Sequence, residues 1–366
     1  MVKNKGMVSC SRRQAKVVTV GGVKIGGGNP VRIQSMAKAD TKDVAAVVRQ
    51  IKGLQRAGCE IVRVAVKDRI SARAIRQIVS RISIPLVADI HFSYRLALAA
   101  IENGADKIRL NPGNIFKSHE VRQVASAAKK ARIPIRVGVN SGSVLKSPGH
   151  RATGPPKSKA KLMARAALNY INLLESFDFY DIIVSIKGSD VLETISAYRQ
   201  FAAESRYPLH LGVTATGPPA AGAIKSALGI GILLEQGIGD TIRVSLTAPP
   251  REEVWAAKAI LEGLGLRRFG PELISCPTCG RCEVDLLRIV KRLGKRLAAI
   301  RYPLSLTPPK VAVMGCVVNG PGEAKDADLG IAFGRGQGLL FKKGQPLRKV
   351  RESSAVEEIV SEMRDA

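Results

Sequence analysis

Eight short apolar runs, rich in β-branched residues, recur along the first two-thirds of the chain. They are VRIQSM (31–36), IVRVAV (61–66), PLVADI (85–90), KIRLNP (107–112), PIRVGV (134–139), DIIVSIK (181–187), PLHLGVT (208–214) and TIRVSLT (241–247). Segments between them, such as 43–58, 93–104, 119–131 and 252–265, carry apolar residues at helical spacing. Strand-then-helix repetition demands parallel strands joined by crossover helices. Eight such units in about 250 residues match the count and size of a closed (β/α)8 TIM-type barrel. An open doubly wound sheet would carry a glycine fingerprint after its first strand. Here GGVKIGGGNP (21–30) precedes a strand and opens no helix, so it is assigned no phosphate-loop role. The run VVTVGGVKIGG (17–27) alternates and turns on glycines, which predicts a small N-terminal hairpin.

The repeat stops after the eighth unit. LGLRRFGPELIS (264–275) leads into CPTCGRC, then a basic helical pattern (284–300), a proline-rich link and the apolar strand VAVMG (311–315). Glycine turns and strand-like pieces follow. The expected organisation is therefore a barrel over 1–267, including the hairpin, and a small α/β domain over 268–366.

Composition narrows the function classes. No run of 18 apolar residues exists, so no transmembrane helix is expected. The basic N-terminus lacks an apolar segment and does not read as a secretory signal. Six cysteines in 366 residues make no disulfide framework, and three crowd into seven positions. This pattern fits a reducing, cytoplasmic compartment and a metal or redox site. The 58 Lys and Arg against 30 Asp and Glu give a net charge of +28, the first footprint of a nucleic-acid binder. The excess is spread over several stretches, however, and aromatics are only 4% of the chain, too few for stacking platforms. Nucleic acid is not expected as a partner. Solvated surface, an anionic substrate and electron-carrier docking account for the charge.

Barrel active sites lie at the C-terminal ends of the strands. Arg63 lies on the second strand. Asp89 and His91 end the third, and Arg109 and Asn111 end the fourth. Arg136 lies on the fifth, with Asn140 just beyond. Lys187 ends the sixth, and Arg243 and Ser245 lie on the eighth. Charges inside a barrel are costly without partners, and Asp89 is the only clear carboxylate among them. An oxyanion-rich substrate with two phosphoryl groups would satisfy them, since Arg suits bidentate phosphate recognition. Asp89 and Asn111 are candidates for polar contacts away from the phosphates. A lone strand-end histidine such as His91 is more often satisfied locally than catalytic.

Cys276-Pro-Thr-Cys279 has metal-binding spacing, Cys282 extends it, and Cys316 follows the strand VAVMG. Four cysteines could close a structural zinc site. Three cysteines with the carboxylate of Glu323, seven residues after Cys316, could instead hold an iron–sulfur cluster with one weakly held iron. Cys59, at a helix-to-strand turn, reads as a small packed residue.

From about residue 15 to about residue 345 the chain resembles the 4-hydroxy-3-methylbut-2-en-1-yl diphosphate synthase family of the non-mevalonate isoprenoid pathway. The motifs PVRIQSM, VADIHF, IRLNPGNI, RVGVNSGS, SIKGSD, HLGVT, GIGDTIRVSLT, ISCPTCGR and GCVVNGPGEA stand in family order. The resemblance implies reductive ring opening of 2-C-methyl-D-erythritol 2,4-cyclodiphosphate with two electrons from a 4Fe-4S cluster. It implies that Cys276, Cys279, Cys316 and Glu323 hold the cluster, leaving Cys282 a bystander. Arg63, Arg109, Arg136, Lys187 and Ser245 would grip the cyclodiphosphate, with Asp89, Asn111 and Asn140 facing the same pocket. It further implies a barrel plus a cluster domain, a head-to-tail homodimer, and flavodoxin or ferredoxin as electron donor. Asp89, His91 and Glu323 are the candidate catalytic residues.

Two departures stand out. After HLGVT the family reads Glu-Ala-Gly, whereas this chain reads Ala215-Thr216-Gly217, and alanine cannot move protons. Asp89, His91 or a water held by Thr214 or Thr216 would have to substitute. Ala37 stands after QSM where the family usually has Thr. The first departure leaves open a related reductase on another phosphorylated polyol or a low-activity paralogue. A zinc-stabilised nucleic-acid-binding protein is the non-enzyme alternative.

Overall fold

The computed structural model describes residues 12–144, 158–300, 308–318, 322 and 324–364. Chain contacts divide it into two units, Met1–Arg267 and Arg268–Ala366.

The first unit opens with the antiparallel hairpin β1 (Val18–Val20) and β2 (Val23–Ile25). Eight parallel strands follow: β3 (Arg32–Met36), β4 (Ile61–Val66), β5 (Leu86–Ile90), β6 (Lys107–Leu110), β7 (Ile135–Asn140), β8 (Ile182–Lys187), β9 (His210–Leu211) and β10 (Thr241–Ile242). β3 to β8 pair in sequence order, β10 joins β3 to β9, and a Val184–Leu209 bridge links β8 to β9. The ring is thus the TIM-type barrel that the eight-fold repeat predicts.

β9 and β10 are shorter than their apolar runs. Near their starts the Asp240 carboxylate accepts from Leu209 N–H at 2.8 Å, taking the place of a ladder bond. Gly212 then follows β9 at once, where a residue without Cβ holds the chain less firmly to strand geometry.

Helix caps fix where each crossover begins. Asp43, Asp68 and Asp190 accept from Ala46, Ser71 and Glu193 N–H, starting helices Val44–Ala57, Arg69–Val79 and Val191–Glu204. Gly58 ends the first of these in the left-handed region, at φ 107°. The hairpin packs Val18, Val20 and Ile25 against Ile61, Val87 and Ile183, all at the N-terminal starts of their strands. It therefore plugs the bottom of the barrel with apolar side chains.

The second unit is a five-stranded sheet, β11 (Glu272–Ser275), β12 (Lys310–Met314), β13 (Leu329–Gly334), β14 (Gln337–Lys342) and β15 (Gln345–Arg351). The first three are parallel, and β13 to β15 form an antiparallel meander. A helix at Leu286–Leu297 and another at Ala355–Arg364 cover one face. Leu293, Leu297, Ile359 and Val360 pack there on Val311, Val313 and Ile331. The first helix and the strand-like pieces between glycine turns match expectation, whereas the antiparallel pairing of β13 to β15 and the C-terminal helix are additions. No helix among the described residues is long and apolar enough to cross a membrane.

Candidate active site and cysteine cluster

Alternate residues of a strand share one face. That rule turns Arg63, Asp89, Arg109, Arg136, Asn140, Lys187 and Arg243 into the barrel, where they line one cavity of about 170 Å³. His91, Asn111 and Ser245, just past their strands, complete its predicted wall. The ten barrel residues expected from the strand ends are thus brought together. Ser185 and Thr214 also line it. Ser185 went unread as a site residue, although it stands two residues before Lys187 and so shares its face.

One carboxylate organises the cations. Asp89 lies 3.3 Å from Arg109 and 3.5 Å from Arg63, with its partners' side chains 7% and 11% exposed. Burial pushes its pKa up, but Arg63, Arg109 and Arg136 outweigh that and hold it at about 2. Arg63 also directs Nε and Nη2 at the Met36 sulfur, 3.2 and 3.0 Å away. Arg109 donates to Gly138 O at 3.0 Å. Turned so that its oxygen faces Arg109, the Asn140 amide accepts from that guanidinium at 3.1 Å. Gly138 makes the approach possible, because a Cβ there would lie 2.4 Å from Arg109 Nε.

A second carboxylate was not foreseen as part of the site. Glu253, buried on helix Pro250–Gly263, lies 3.6 Å from Arg243 and 3.0 Å from Lys38 and accepts from Leu246 N–H. It belongs to a crossover helix, so a reading of strand ends could not find it. Its buried helix position was the available signal.

The two carboxylates do not meet every cationic donor. Arg136 Nε and Nη1, Arg243 Nε and Lys107 Nζ are buried without a hydrogen-bond partner. Lys107 stands two residues before Arg109 on the same face, one layer deeper, with its pKa well below the ordinary lysine value. Burial is the main cause, then Arg136 and Arg63. Burial likewise lowers Lys187, followed by Arg136 and Arg243. Arg136, Lys187 and Arg243, which line the cavity, can grip a multiply charged anion, which would supply acceptors for their unmet donors.

Ala215 sits beside this wall, exposed and in the left-handed region at φ 53°. Thr216 is buried and donates its hydroxyl to Ser245 O. Of the groups considered as substitutes for a proton carrier, Asp89, His91 and Thr214 line the cavity.

In the second unit, Cys276 follows β11 and Cys316 follows β12 by one residue. β11 and β12 are parallel neighbours with Ser275 opposite Val313, so both cysteines leave the same end of the sheet. Gly315 N–H donates to Cys276 Sγ at 3.3 Å, and such bonds tune metal-bound thiolates. Cys279 is exposed, and its carbonyl accepts from Cys282 N–H at 2.9 Å. Cys282 Sγ is engaged with Val284 O at 3.3 Å and fills the space beside Gly315, where a Cβ would meet it at 2.5 Å. Glu323 lies outside the described residues. Among the described residues, no three His, Cys, Asp or Glu side chains already form a metal-binding group. The soft donors at the shared end of the sheet fit a thiolate-held cluster. Cys59 is buried, its thiol pushed up to about 12 mainly by that burial, as a packed residue should be.

Comparisons with known proteins bear on both units. The GcpE TIM-barrel domain model matches residues 15–258, and the GcpE protein C-terminal domain model matches 272–365. A relative from Thermodesulfovibrio yellowstonii is 53% identical over 353 residues, covering 96% of this chain and 99% of its own. One from Clostridium perfringens is 52% identical over 350 residues, covering 96% and 98%. Both are named 4-hydroxy-3-methylbut-2-en-1-yl diphosphate synthase (flavodoxin). Among solved structures, dihydropteroate synthase from Stenotrophomonas maltophilia aligns at a TM-score of 0.49 and 15% identity, over 66% of this chain and 98% of its own.

Proposed function

The chain belongs to the GcpE family of 4-hydroxy-3-methylbut-2-en-1-yl diphosphate synthases, and from that premise we propose that it is an oxidoreductase of isoprenoid precursor synthesis. It opens the ring of 2-C-methyl-D-erythritol 2,4-cyclodiphosphate and removes a hydroxyl with two electrons, giving 4-hydroxy-3-methylbut-2-enyl diphosphate. Membership does not favour a different polyol substrate, a silent paralogue or a nucleic-acid-binding role.

The observation that carries the reading is the cavity itself: Arg63, Arg109, Arg136, Arg243 and Lys187 line it with Asp89 as the one carboxylate. Arg63, Arg109, Arg136 and Lys187 bind the phosphoryl oxygens, and Arg243 and Ser245 close the other side. Asn111 and Asn140 orient the ligand by hydrogen bonds. Asp89 stays ionised and holds Arg63 and Arg109 in place. The diphosphate remains anchored while the ring C–O bond breaks, so the intermediate cannot diffuse away. His91 and Thr214 are positioned to hold or pass the proton that the leaving hydroxyl requires.

Cys276, Cys279, Cys316 and Glu323 would hold a 4Fe-4S cluster. When bound, that cluster supplies electrons singly and a Lewis-acidic iron. A small acidic carrier, flavodoxin or ferredoxin, would deliver the electrons, and the net charge of +28 favours its docking. A head-to-tail homodimer would bring the cluster of one copy to the pocket of its partner. Free thiolates and such a cluster suit the reducing cytoplasm.

The test is anaerobic turnover of the cyclodiphosphate by reconstituted protein with a strong reductant, reading product by mass. Hydroxymethylbutenyl diphosphate is the expected product. No product from protein with a full iron and sulfide complement would overturn the reading. Zinc in place of iron would overturn the cluster, and a monomer in light scattering would overturn the dimer.

A further inference from the structure

Lys187 and His210 meet deep in the pocket wall. Lys187 is the last residue of β8, and its Nζ lies 3.3 Å from His210 Nε2. His210 opens β9, and its Nδ1 lies 2.7 Å from the Thr241 hydroxyl at the start of β10. The histidine is 0% exposed and the lysine 7%.

The surroundings hold this arrangement rigidly. Tyr198 donates its hydroxyl to His210 O at 2.7 Å, while Ile186 N–H donates to that same hydroxyl at 3.0 Å. Gly212 leaves the lysine its space, because a Cβ there would lie 2.7 Å from Nζ. The histidine is therefore fixed through its backbone on one side and its ring on two others.

The chemistry selects one form of the ring. With Lys187 as an ammonium, which has donors only, Nε2 can meet it only with a lone pair. A neutral imidazole protonated on Nδ1 offers that lone pair and donates to Thr241. An imidazolium is disfavoured twice. Burial opposes the charge, and the positive charges of Lys187, Arg136, Lys107 and Arg63 add to that; together these hold its pKa well below the ordinary histidine value. The nearest carboxylate on the neighbouring strands, Asp240, accepts from Leu209 N–H and pairs with Arg12, and Tyr198 and Thr241 are the uncharged polar neighbours of His210.

We propose that His210 is a positioning residue for anion binding: as a neutral Nδ1–H imidazole it accepts a hydrogen bond from Lys187 and holds the ammonium at the pocket wall. The idea rests on the reading of this cavity as the cyclodiphosphate site. Without the acceptor, one donor of a buried ammonium is unpaired, and Lys187 is left among cations that favour loss of its proton. His210 touches no ligand itself; it acts through Lys187.

Two measurements separate this inference from the pocket reading. The first is the 15N spectrum of the full-length protein labelled at its four histidines. The His210 signal is assigned by its loss in His210→Gln. A neutral ring protonated on Nδ1 at neutral pH is expected, and an imidazolium or an Nε2–H ring would overturn the proposal. The second is binding of inorganic pyrophosphate by calorimetry. His210→Leu removes the acceptor and should weaken binding roughly ten- to hundred-fold. His210→Gln, whose amide oxygen can replace Nε2, should stay within about threefold. Lys187→Met should weaken binding on its own, and the double variant with His210→Leu should add little to it. Equal binding in His210→Leu and wild type, or additive losses in the double variant, would overturn the positioning role. Unchanged binding in Lys187→Met would overturn the pocket reading instead, while the ring spectrum still decides the histidine–lysine contact.

Discussion

Asp89 and Arg109 stand directly opposite each other on neighbouring parallel strands, and their side chains meet at 3.3 Å. The other carboxylate oxygen lies 3.5 Å from Arg63, so one acid spaces two guanidiniums. Asp89→Asn keeps the shape and removes the charge. Breaking a buried pair from one side costs about 3–5 kcal/mol, so unfolding in urea should show a loss of that order. Pyrophosphate should restore part of the loss, because an added anion replaces the missing charge.

The same acid gives stability a defined pH dependence. An unfolded aspartate titrates near 3.8, whereas Asp89 is held at about 2. As pH falls the unfolded chain takes up the proton first. The contribution is therefore complete above 3.8 and is lost between 3.8 and about 2, at up to about 1.4 kcal/mol per pH unit. His210 works in the same direction at higher pH, since its folded pKa lies well below 6.5. Its share is present above 6.5 and erodes on acidification below that. Urea titrations should show the upper segment flattened in His210→Gln and the lower one in Asp89→Asn.

Gly138 is a spacing residue for Arg109. Its added methyl would lie 2.4 Å from Nε, so Gly138→Ala must push the guanidinium off Asp89 and Gly138 O. Pyrophosphate affinity should fall about tenfold, the value of one good charged hydrogen bond. Calorimetry beside a circular-dichroism melt would check it, and a large affinity loss with a small melting shift is expected.

The cysteines should divide into two groups. Cys276→Ser, Cys279→Ser and Cys316→Ser should each lose iron and sulfide after anaerobic reconstitution. Cys282→Ala should retain both, since its sulfur is turned to Val284 O. Loss of the cluster in Cys282→Ala would show that the ligand set is wrong.

Ala215 holds a backbone conformation that costs an L residue about 1–2 kcal/mol. Ala215→Gly should therefore stabilise the protein by up to about 1 kcal/mol, the unfolded-state entropy of glycine taking back part of the gain. Ala215→Glu keeps the same backbone cost and adds a proton carrier beside Thr214. Turnover should rise without a comparable change in melting temperature.

The barrel was legible because its signal is periodic. Parallel strands buried on both faces read as apolar runs, and charges that interrupt those runs at their ends mark the mouth. Arg63, Arg109 and Lys187 could be placed from that rule alone. Glu253 could not, because it reaches Arg243 and Lys38 from a crossover helix by tertiary packing. His210 lay in a run already read as strand, and nothing in its spacing showed that Thr241 and Lys187 would meet its two nitrogens. The short ladders of β9 and β10 were hidden for a similar reason, since a side chain, Asp240, replaces a backbone bond there. The C-terminal helix is only ten residues long and follows a meander rich in turn signals, so it carried little periodic signal of its own.

The N-terminal hairpin makes the barrel a dead-end chamber. With Val18, Val20 and Ile25 seated against the strand starts, the floor has no exit. Ligand enters and product leaves by the mouth at the strand ends, so spent diphosphate must depart before the next molecule arrives. Traffic is single-file, and a molecule lodged at the rim stops it as fully as one lodged at the bottom.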